Sequence, residues 1–408
     1  MELRTIADKI IAEAIRSALP DEAVKRALQG RQLPEKITLV AIGKAAWQMT
    51  KAACDLLGDK VAQGIVITKY NHVMHPIARI TMYEAGHPVP DENSYRATKA
   101  AIEMVCNLTA DDLVLFLISG GGSALFEKPV ICESEMAAIT QQLLSSGADI
   151  TKINTIRKRL SAVKGGKFAQ ICAPAKVLSI VLSDIIGDPL DMIASGPAYP
   201  DSSSTQDALN IAAEYHLQLS DDAIAALKVP TPKQLSNVET VITGSVSQLC
   251  LSAAETCRQL NIEPRILTAS LSCTARDAGS FLASMAQYHQ KTDHAVAYIL
   301  GGETVVKVTG TGKGGRNQEL ALAAAEGIAG IPNVAVFSVG SDGTDGPTDA
   351  AGGYVDGSTR GKLLQRGIRI ADVLRDNDAY HALAQTDGLI ITGPTGTNVN
   401  DLTVLLLV

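Results

Sequence analysis

Short apolar runs that stop abruptly at glycine- and aspartate-rich loops constrain this 408-residue chain more than any other feature. Leu113-Val-Leu-Phe-Leu-Ile118 is apolar at every position, which suits a strand buried on both faces rather than one with a wet side. It runs into Ser119-Gly-Gly-Gly-Ser123. Thr38-Leu-Val-Ala-Ile42 likewise meets Gly43-Lys44, and Val177-Leu-Ser-Ile-Val-Leu182 meets Ser183-Asp-Ile-Ile-Gly-Asp188. Ala295-Val-Ala-Tyr-Ile-Leu300 ends in Gly301-Gly-Glu-Thr304, and Val334-Ala-Val-Phe-Ser338 leads to an acidic loop. Helical periodicity fills the intervals and the amino end, where Ile6, Ile10, Ile11 and Ile15 share one face. Alternating strands and helices predict an α/β fold with mainly parallel sheet. A 4% aromatic content beside abundant Ala, Gly, Val and Ile agrees with that interior.

The length exceeds what one hydrophobic core usually serves, so two domains are expected. Residues 200–236 are polar and broken by prolines, ending in Val229-Pro-Thr-Pro232, which places a boundary there. The expected division is 1–233 and 234–408, two Rossmann-like α/β/α domains; the last strand, 402–408, fits either. A net charge of −7 argues against nucleic acid or an anionic membrane as main partner. No apolar run approaches a membrane span and the amino end has no signal-like segment, so a cytoplasmic protein is expected. Seven cysteines without C-x-x-C spacing read as reduced thiols.

Function concentrates in the loops. Ser341-Asp-Gly-Thr-Asp-Gly-Pro-Thr-Asp-Ala-Ala-Gly-Gly353 carries Asp342, Asp345 and Asp349 with no basic residue among them. Like charges that close need a cation or a ring of donors, and hard carboxylate oxygens suit Mg²⁺ beside a phosphate. Asp184 and Asp188, four apart in a second such loop, could share a cation. Ser119, Gly120, Gly121, Gly122 and Ser123 expose consecutive backbone amides as an anion cradle for phosphate. Lys44 stands where a strand turns into a helix, a position that already favours an anion. Asn154-Thr-Ile-Arg-Lys-Arg-Leu-Ser161 and Lys164-Gly-Gly-Lys167 read as cations facing an anionic small molecule, with solvated surface as the alternative.

Gly310, Gly312 and Gly315 match G-x-G-x-x-G between Val305-Val-Lys-Val-Thr309 and a helix, which keeps a dinucleotide site open. Lys307 between valines suits a half-exposed edge strand, and Arg316 offers a bidentate grip on phosphate or carboxylate. His87, in Gly86-His-Pro-Val-Pro90, reads as a turn residue or a substrate contact.

Together these loops resemble the class II glycerate kinases of the MOFRL family, some of which carry the older label of hydroxypyruvate reductase. The resemblance rests on Gly43-Lys-Ala-Ala46, Gly86-His-Pro-Val-Pro90, Ser119-Gly-Gly-Gly-Ser-Ala-Leu125, Ser183-Asp-Ile-Ile-Gly-Asp188, Ser195-Gly-Pro197 and Gly301-Gly-Glu303. It continues through Gly314-Gly-Arg-Asn-Gln-Glu319, Asp342-Gly-Thr-Asp-Gly-Pro-Thr-Asp-Ala-Ala351 and Thr392-Gly-Pro-Thr-Gly-Thr-Asn-Val-Asn-Asp401, spanning essentially the whole chain in order. Ser341 before Asp342 is the one departure. The resemblance implies two α/β domains facing an interdomain cleft, and phosphorylation of D-glycerate by ATP with Mg²⁺, usually at the 2-hydroxyl. It carries the family's cleft residues to Lys44, Glu303, Arg316, Asp342 and Asn398. Lys44 and Arg316 would grip the glycerate carboxylate or the transferring phosphoryl group, and the 119–123 loop the nucleotide phosphates. Mg²⁺ would sit on carboxylates drawn from Asp184, Asp188 and Asp342, while a nearby aspartate orients the attacking hydroxyl.

An NAD(P)H-dependent hydroxypyruvate reductase is the second reading, carried by Gly310, Gly312 and Gly315. It requires a proton-donating histidine with a carboxylate partner, which none of the seven histidines evidently has. A non-catalytic nucleotide sensor is the third. The oligomeric state, a homodimer included, is left open by the sequence.

Overall fold

The all-apolar runs become the inner strands of two six-stranded sheets in the computed structural model, which describes residues 2–292 and 294–408. The first sheet contains β1 (Ile37–Ile42), β2 (Val61–Lys69), β3 (Ile80–Ala85), β4 (Leu113–Ile118), β5 (Lys176–Leu182) and β6 (Val238–Gly244), in the order β3-β2-β1-β4-β5-β6. The pairings from β3 through β5 are all parallel. β1 and β4 are buried along their whole length, as central strands covered on both faces must be. One face packs Val40, Ile42, Phe116 and Val181 under helix Glu92–Val105, and the other packs Leu39, Ala41 and Leu117 under helix Ala46–Leu57.

The second sheet contains β7 (Glu263–Leu271), β8 (Val296–Gly302), β9 (Val334–Gly340), β10 (Gly352–Asp356), β11 (Leu389–Ile390) and β12 (Asp401–Leu407). Its order is β11-β10-β9-β12-β8-β7. Parallel pairing, expected of most strands, holds here only between β7 and β8. β12 runs antiparallel between β8 and β9, and β10 and β11 continue antiparallel beyond β9. The final strand therefore completes the second sheet by insertion, which no local pattern announces. Helix Arg316–Gly327 is buried almost all round because its core-facing residues are small alanines flanked by leucines.

The chain divides into two bodies, one of Ala23–Ser183 and Asp188–Thr243, the other of Met1–Glu22, Asp184–Gly187 and Gly244–Val408. This differs from a single cut at 233. β6, placed by sequence in the second run, is the edge of the first sheet. Helix Leu3–Ser17 packs its isoleucines into the core of the second body, with Leu249, Ile299, Phe337, Leu402 and Leu406. Arg4 fastens the same helix by donating to Asp387 O at 2.8 Å and Leu389 O at 3.1 Å.

Residues 200–236, read as a polar connection, contain helices Thr205–Glu214 and Asp221–Lys228. Ala208, Ile211, Ala223 and Leu227 close a separate core with Met136, Ile139, Ile156 and Leu160. The prolines flank these helices and do not interrupt them. Residues 305–309 form no strand, only an isolated bridge between Val305 and Thr274. Among the described residues no helix is long and apolar enough to cross a membrane.

Candidate active site

In the first body the strand order reverses between β1 and β4, the position at which open α/β sheets bind ligands. The loops leaving these two strands are stitched together: Lys44 N donates to Gly120 O at 2.9 Å. The buried Ser119 hydroxyl accepts from Ala45 N at 3.1 Å and donates to Ile42 O at 3.2 Å, so this side chain is committed to the loop. Ser123 is committed too, with its Oγ 2.9 Å from Ser195 Oγ and its carbonyl accepting from Arg157 and Lys164. Among the described residues, the amides of Gly120, Gly121, Gly122 and Ser123 donate to no protein acceptor. Gly121 adopts φ +86°, a conformation that L side chains avoid. A Cβ there would also stand 3.1 Å from the His87 ring and 3.3 Å from Lys44 Cγ. The Lys44 side chain is exposed and its ammonium meets no carboxylate among the described residues.

The basic run behind this loop is not aimed at a ligand. Lys158, Arg159 and Lys164 are buried. Lys158 and Arg159 pair with Asp201 at 3.1 and 3.4 Å, and Lys164 with Glu127 at 3.3 Å. Lys167 donates to the carbonyls of Lys158, Arg159 and Ser161 at a helix end. Burial pushes the Lys164 and Lys167 ammonium groups down to about 8.

In the second body the carboxyl ends of β8 and β9 and the start of β12 lie side by side at one end of the strands. Arg316, the first residue of its helix, donates through Nε and Nη2 to the two oxygens of Asp401 at 2.5 and 3.0 Å. Its Nη1 lies 2.9 Å from Glu303, whose other oxygen accepts from Asn400 Nδ2 at 3.1 Å. Burial by itself would lower the Arg316 pKa, yet Asp401 and Glu303 hold the guanidinium above its ordinary range. Burial raises the Asp401 carboxyl, and Arg316 opposes that rise. Asn398 is exposed, with its Oδ1 3.5 Å from Asn400 N. The buried Asn400, with a free Oδ1, is the asparagine in touch with Glu303.

The three aspartates of the 341–353 loop do not gather around a common cation. Asp345 is buried and accepts from Asn317 N at 3.1 Å and Gln318 N at 2.9 Å, capping helix Arg316–Gly327. Burial pushes its carboxyl up to about 6, with Asp401 adding to the rise and these amides and Arg316 opposing it. Asp349 accepts from the Tyr380 hydroxyl at 2.7 Å. Asp342 is left half-buried, with one oxygen taking Thr344 N at 3.0 Å. Their mutual repulsion is relieved by separate donors. Among the described residues no group of three or more His, Cys, Asp or Glu is placed to hold a metal ion. Asp188, at φ +51°, keeps one buried oxygen without a partner.

Residues 6–228 match a domain of unknown function, DUF4147, and residues 296–401 match the MOFRL family. A D-glycerate 2-kinase of Thermotoga maritima is 50% identical, with 100% of this chain and 99% of that protein covered. A crystal structure of a Thermotoga maritima glycerate kinase superposes with a TM-score of 0.94 at 50% identity, covering 100% of this chain and 99% of the other. A putative hydroxypyruvate reductase of Agrobacterium vitis is 35% identical, with 99% and 94% covered. The chain belongs to the MOFRL family of glycerate kinases.

The older reductase label within that family makes the 310–315 loop worth testing as a dinucleotide fingerprint. In this family member the amides of residues 310–313 are already used. Gly310 N donates to Asn377 Oδ1 at 3.0 Å, Thr311 N to Asp376 Oδ1 at 3.0 Å and Gly312 N to Asp376 O at 2.8 Å. Asp345 occupies the helix N-terminus where a pyrophosphate would bind. The glycines serve close approach instead: a Cβ on Gly310, Gly312 or Gly315 would collide with Asp376, Asp378 or Asp345. Asn400 and Asp401, which the sequence did not single out, join Arg316 and Glu303 here, and of the two partners open to Asp345, a cation or donors, the structure supplies donors. Asp401 lies inside the quoted Asn-Val-Asn-Asp motif, so its signal was present without a partner to give it meaning.

Proposed function

We propose that this chain transfers the γ-phosphoryl group of ATP to the 2-hydroxyl of D-glycerate, giving 2-phospho-D-glycerate. The observation that carries the proposal is the full-length 50% identity to a D-glycerate 2-kinase, with the open Lys44 and 119–123 loops intact. Phosphoryl transfer asks a protein for alignment and charge neutralisation rather than covalent chemistry. The open amides of the 119–123 loop suit phosphate oxygens, and the uncommitted Lys44 ammonium suits the transferring group. Arg316, pre-oriented by Asp401 and Glu303, suits the glycerate carboxylate or the same phosphoryl group. Following the resemblance, Asp342 and Asn398 would add to that grip, and Asp184 or Asp342 would orient the hydroxyl.

Mg²⁺ is commonly held by one or two carboxylates together with substrate phosphates and water, so a protein-only cage is not required. Taken separately, Asp188 of the first body, with a buried oxygen lacking a partner, and Asp342 of the second, with one oxygen on Thr344 N, each suit the role of such a carboxylate. When bound, the ion would neutralise charge on the phosphates. A reaction drawing on ATP suits the cytoplasm.

The test is one purified sample split between D-glycerate with ATP and Mg²⁺, and hydroxypyruvate with NADH, with products read by phosphorus NMR. ADP release that requires D-glycerate, with 2-phosphoglycerate as product, is expected. NADH oxidation without phosphorylation would overturn the proposal.

A further inference from the structure

We infer that His87 is a ligand for a phosphoryl group: with Lys44 and the open amides of the 119–123 loop it completes an anion pocket at the strand crossover of the first body. The inference rests on the kinase reading above and gives a specific ligand to a residue that the sequence left between a turn and a substrate contact.

His87 follows β3, and its ring edge is brought against Gly121, where a Cβ would stand 3.1 Å from the ring and press it aside. The ring is partly buried, yet among the described residues neither nitrogen makes a hydrogen bond. Neither nitrogen is among the buried polar atoms without a partner, so both are accessible and uncommitted, free to meet a ligand beside Lys44 and the loop amides. Its charged neighbours are Lys44, Lys69 and His72, all cationic or protonatable. The carboxylates nearby in sequence are spent elsewhere. Glu84 accepts from the amides of His72 and Val73 at 2.9 Å, and Asp91 accepts from Tyr70 at 2.6 Å and Ser94 at 3.0 Å. His72 directs its Nδ1 to Lys44 O at 3.1 Å, which helps to hold the Lys44 turn.

Donors therefore converge from three sources: loop amides, an ammonium group and an imidazole. A carboxylate offers two oxygens in one plane, whereas a phosphoryl group offers three oxygens on a tetrahedron and can meet all three. Burial, with Lys44 and Lys69 nearby, holds the His87 pKa below its ordinary value, so the ring is neutral in the ligand-free protein at neutral pH. A doubly charged anion placed against it reverses that balance and favours protonation, which gives the pocket a measurable signature. The phosphoryl group can come from the nucleotide or from phosphoglycerate.

The experiment follows the imidazole C–H signals of histidine-selectively labelled protein across pH by NMR, with His87→Gln and His87→Asn identifying the signal. Titrations are run without ligand, and with 2-phospho-D-glycerate, a non-hydrolysable ATP analogue or D-glycerate, each checked for binding by calorimetry. A phosphorylated ligand is expected to raise the His87 midpoint by about one pH unit or more, with D-glycerate having a smaller effect. Which phosphorylated ligand does so identifies the source. His87→Gln is expected to weaken that ligand on the order of tenfold while leaving D-glycerate binding unchanged. Ligands that bind while the His87 midpoint stays fixed would overturn the inference and leave the kinase reading standing. A midpoint moved by D-glycerate alone would overturn the phosphoryl assignment in favour of a carboxylate site. Absence of calorimetric binding by all three would remove the kinase reading itself.

Discussion

The guanidinium of Arg316 lies against the carboxylate of Asp401, with one hydrogen bond to each oxygen, and Asp401 is the first residue of the last strand. An arginine at a helix start is thereby oriented by a strand that begins 85 residues later. Asp401→Asn keeps the shape and removes the charge. Loss of a charge-assisted pair is expected to cost about 2 kcal/mol of stability by denaturant unfolding. Misplacement of the grip is expected to lower kcat/KM on the order of 10²-fold. Near-normal turnover in a destabilised variant would show that Asp401 serves the fold alone.

Asp345 sets a pH dependence whose sign is unusual for a carboxylate. Its folded pKa of about 6 lies above the ordinary 3.8, so between these two values the folded state holds the proton more tightly than the unfolded chain does. The contribution is fully present below the unfolded pKa and is lost as pH rises through about 6. The full difference is roughly 3 kcal/mol. Relative to Asp345→Asn, the parent protein is expected to gain stability as pH falls from about 7 to about 4, measured by urea unfolding at each pH. A flat difference would remove Asp345 as its source.

Gly315 separates two accounts of the glycine loop. Its Cβ would overlap the Asp345 carboxyl carbon, so Gly315→Ala must displace the cap. Overpacking of this kind is expected to cost about 2 kcal/mol or more, with a loss of turnover through Arg316 next to it. NADH affinity should be nil in both forms by fluorescence titration. NADH binding that Gly315→Ala abolishes would restore the dinucleotide account.

The cations of the first body divide by environment. Lys44 is exposed and makes no ion pair among the described residues, so Lys44→Ala is expected to change stability by less than about 0.5 kcal/mol. Its turnover should fall on the order of 10²-fold or more. Asp201→Ala leaves buried Arg159 without a carboxylate and Lys158 with Asp191 alone, and is expected to cost about 3–5 kcal/mol. Thermal unfolding beside steady-state kinetics distinguishes the two patterns.

Local pattern was enough to mark which segments become buried strands and which loops carry chemistry. A run such as 113–118 has no polar face to offer water, and Gly-Gly-Gly after it has no rigid conformation except as a turned-out loop. The order of motifs was likewise enough to reach the family. Long-range packing settled the rest, because it depends on partners that a local pattern cannot contain. Three aspartates in one loop looked like a metal site because charge repulsion is visible in sequence. The amides of Asn317 and Gln318 and the Tyr380 hydroxyl that relieve it are distant in the chain. A cluster of Arg and Lys looked ligand-facing because burial is not a property of composition, and Asp201 and Glu127 claimed those charges. Glycines at 310, 312 and 315 have the spacing of a dinucleotide loop, but what each glycine makes room for is set by the backbone packed against it. The insertion of β12 between β8 and β9 delivers Asp401 to Arg316. It depends on pairing between strands far apart in the chain, and pairing energy is non-local.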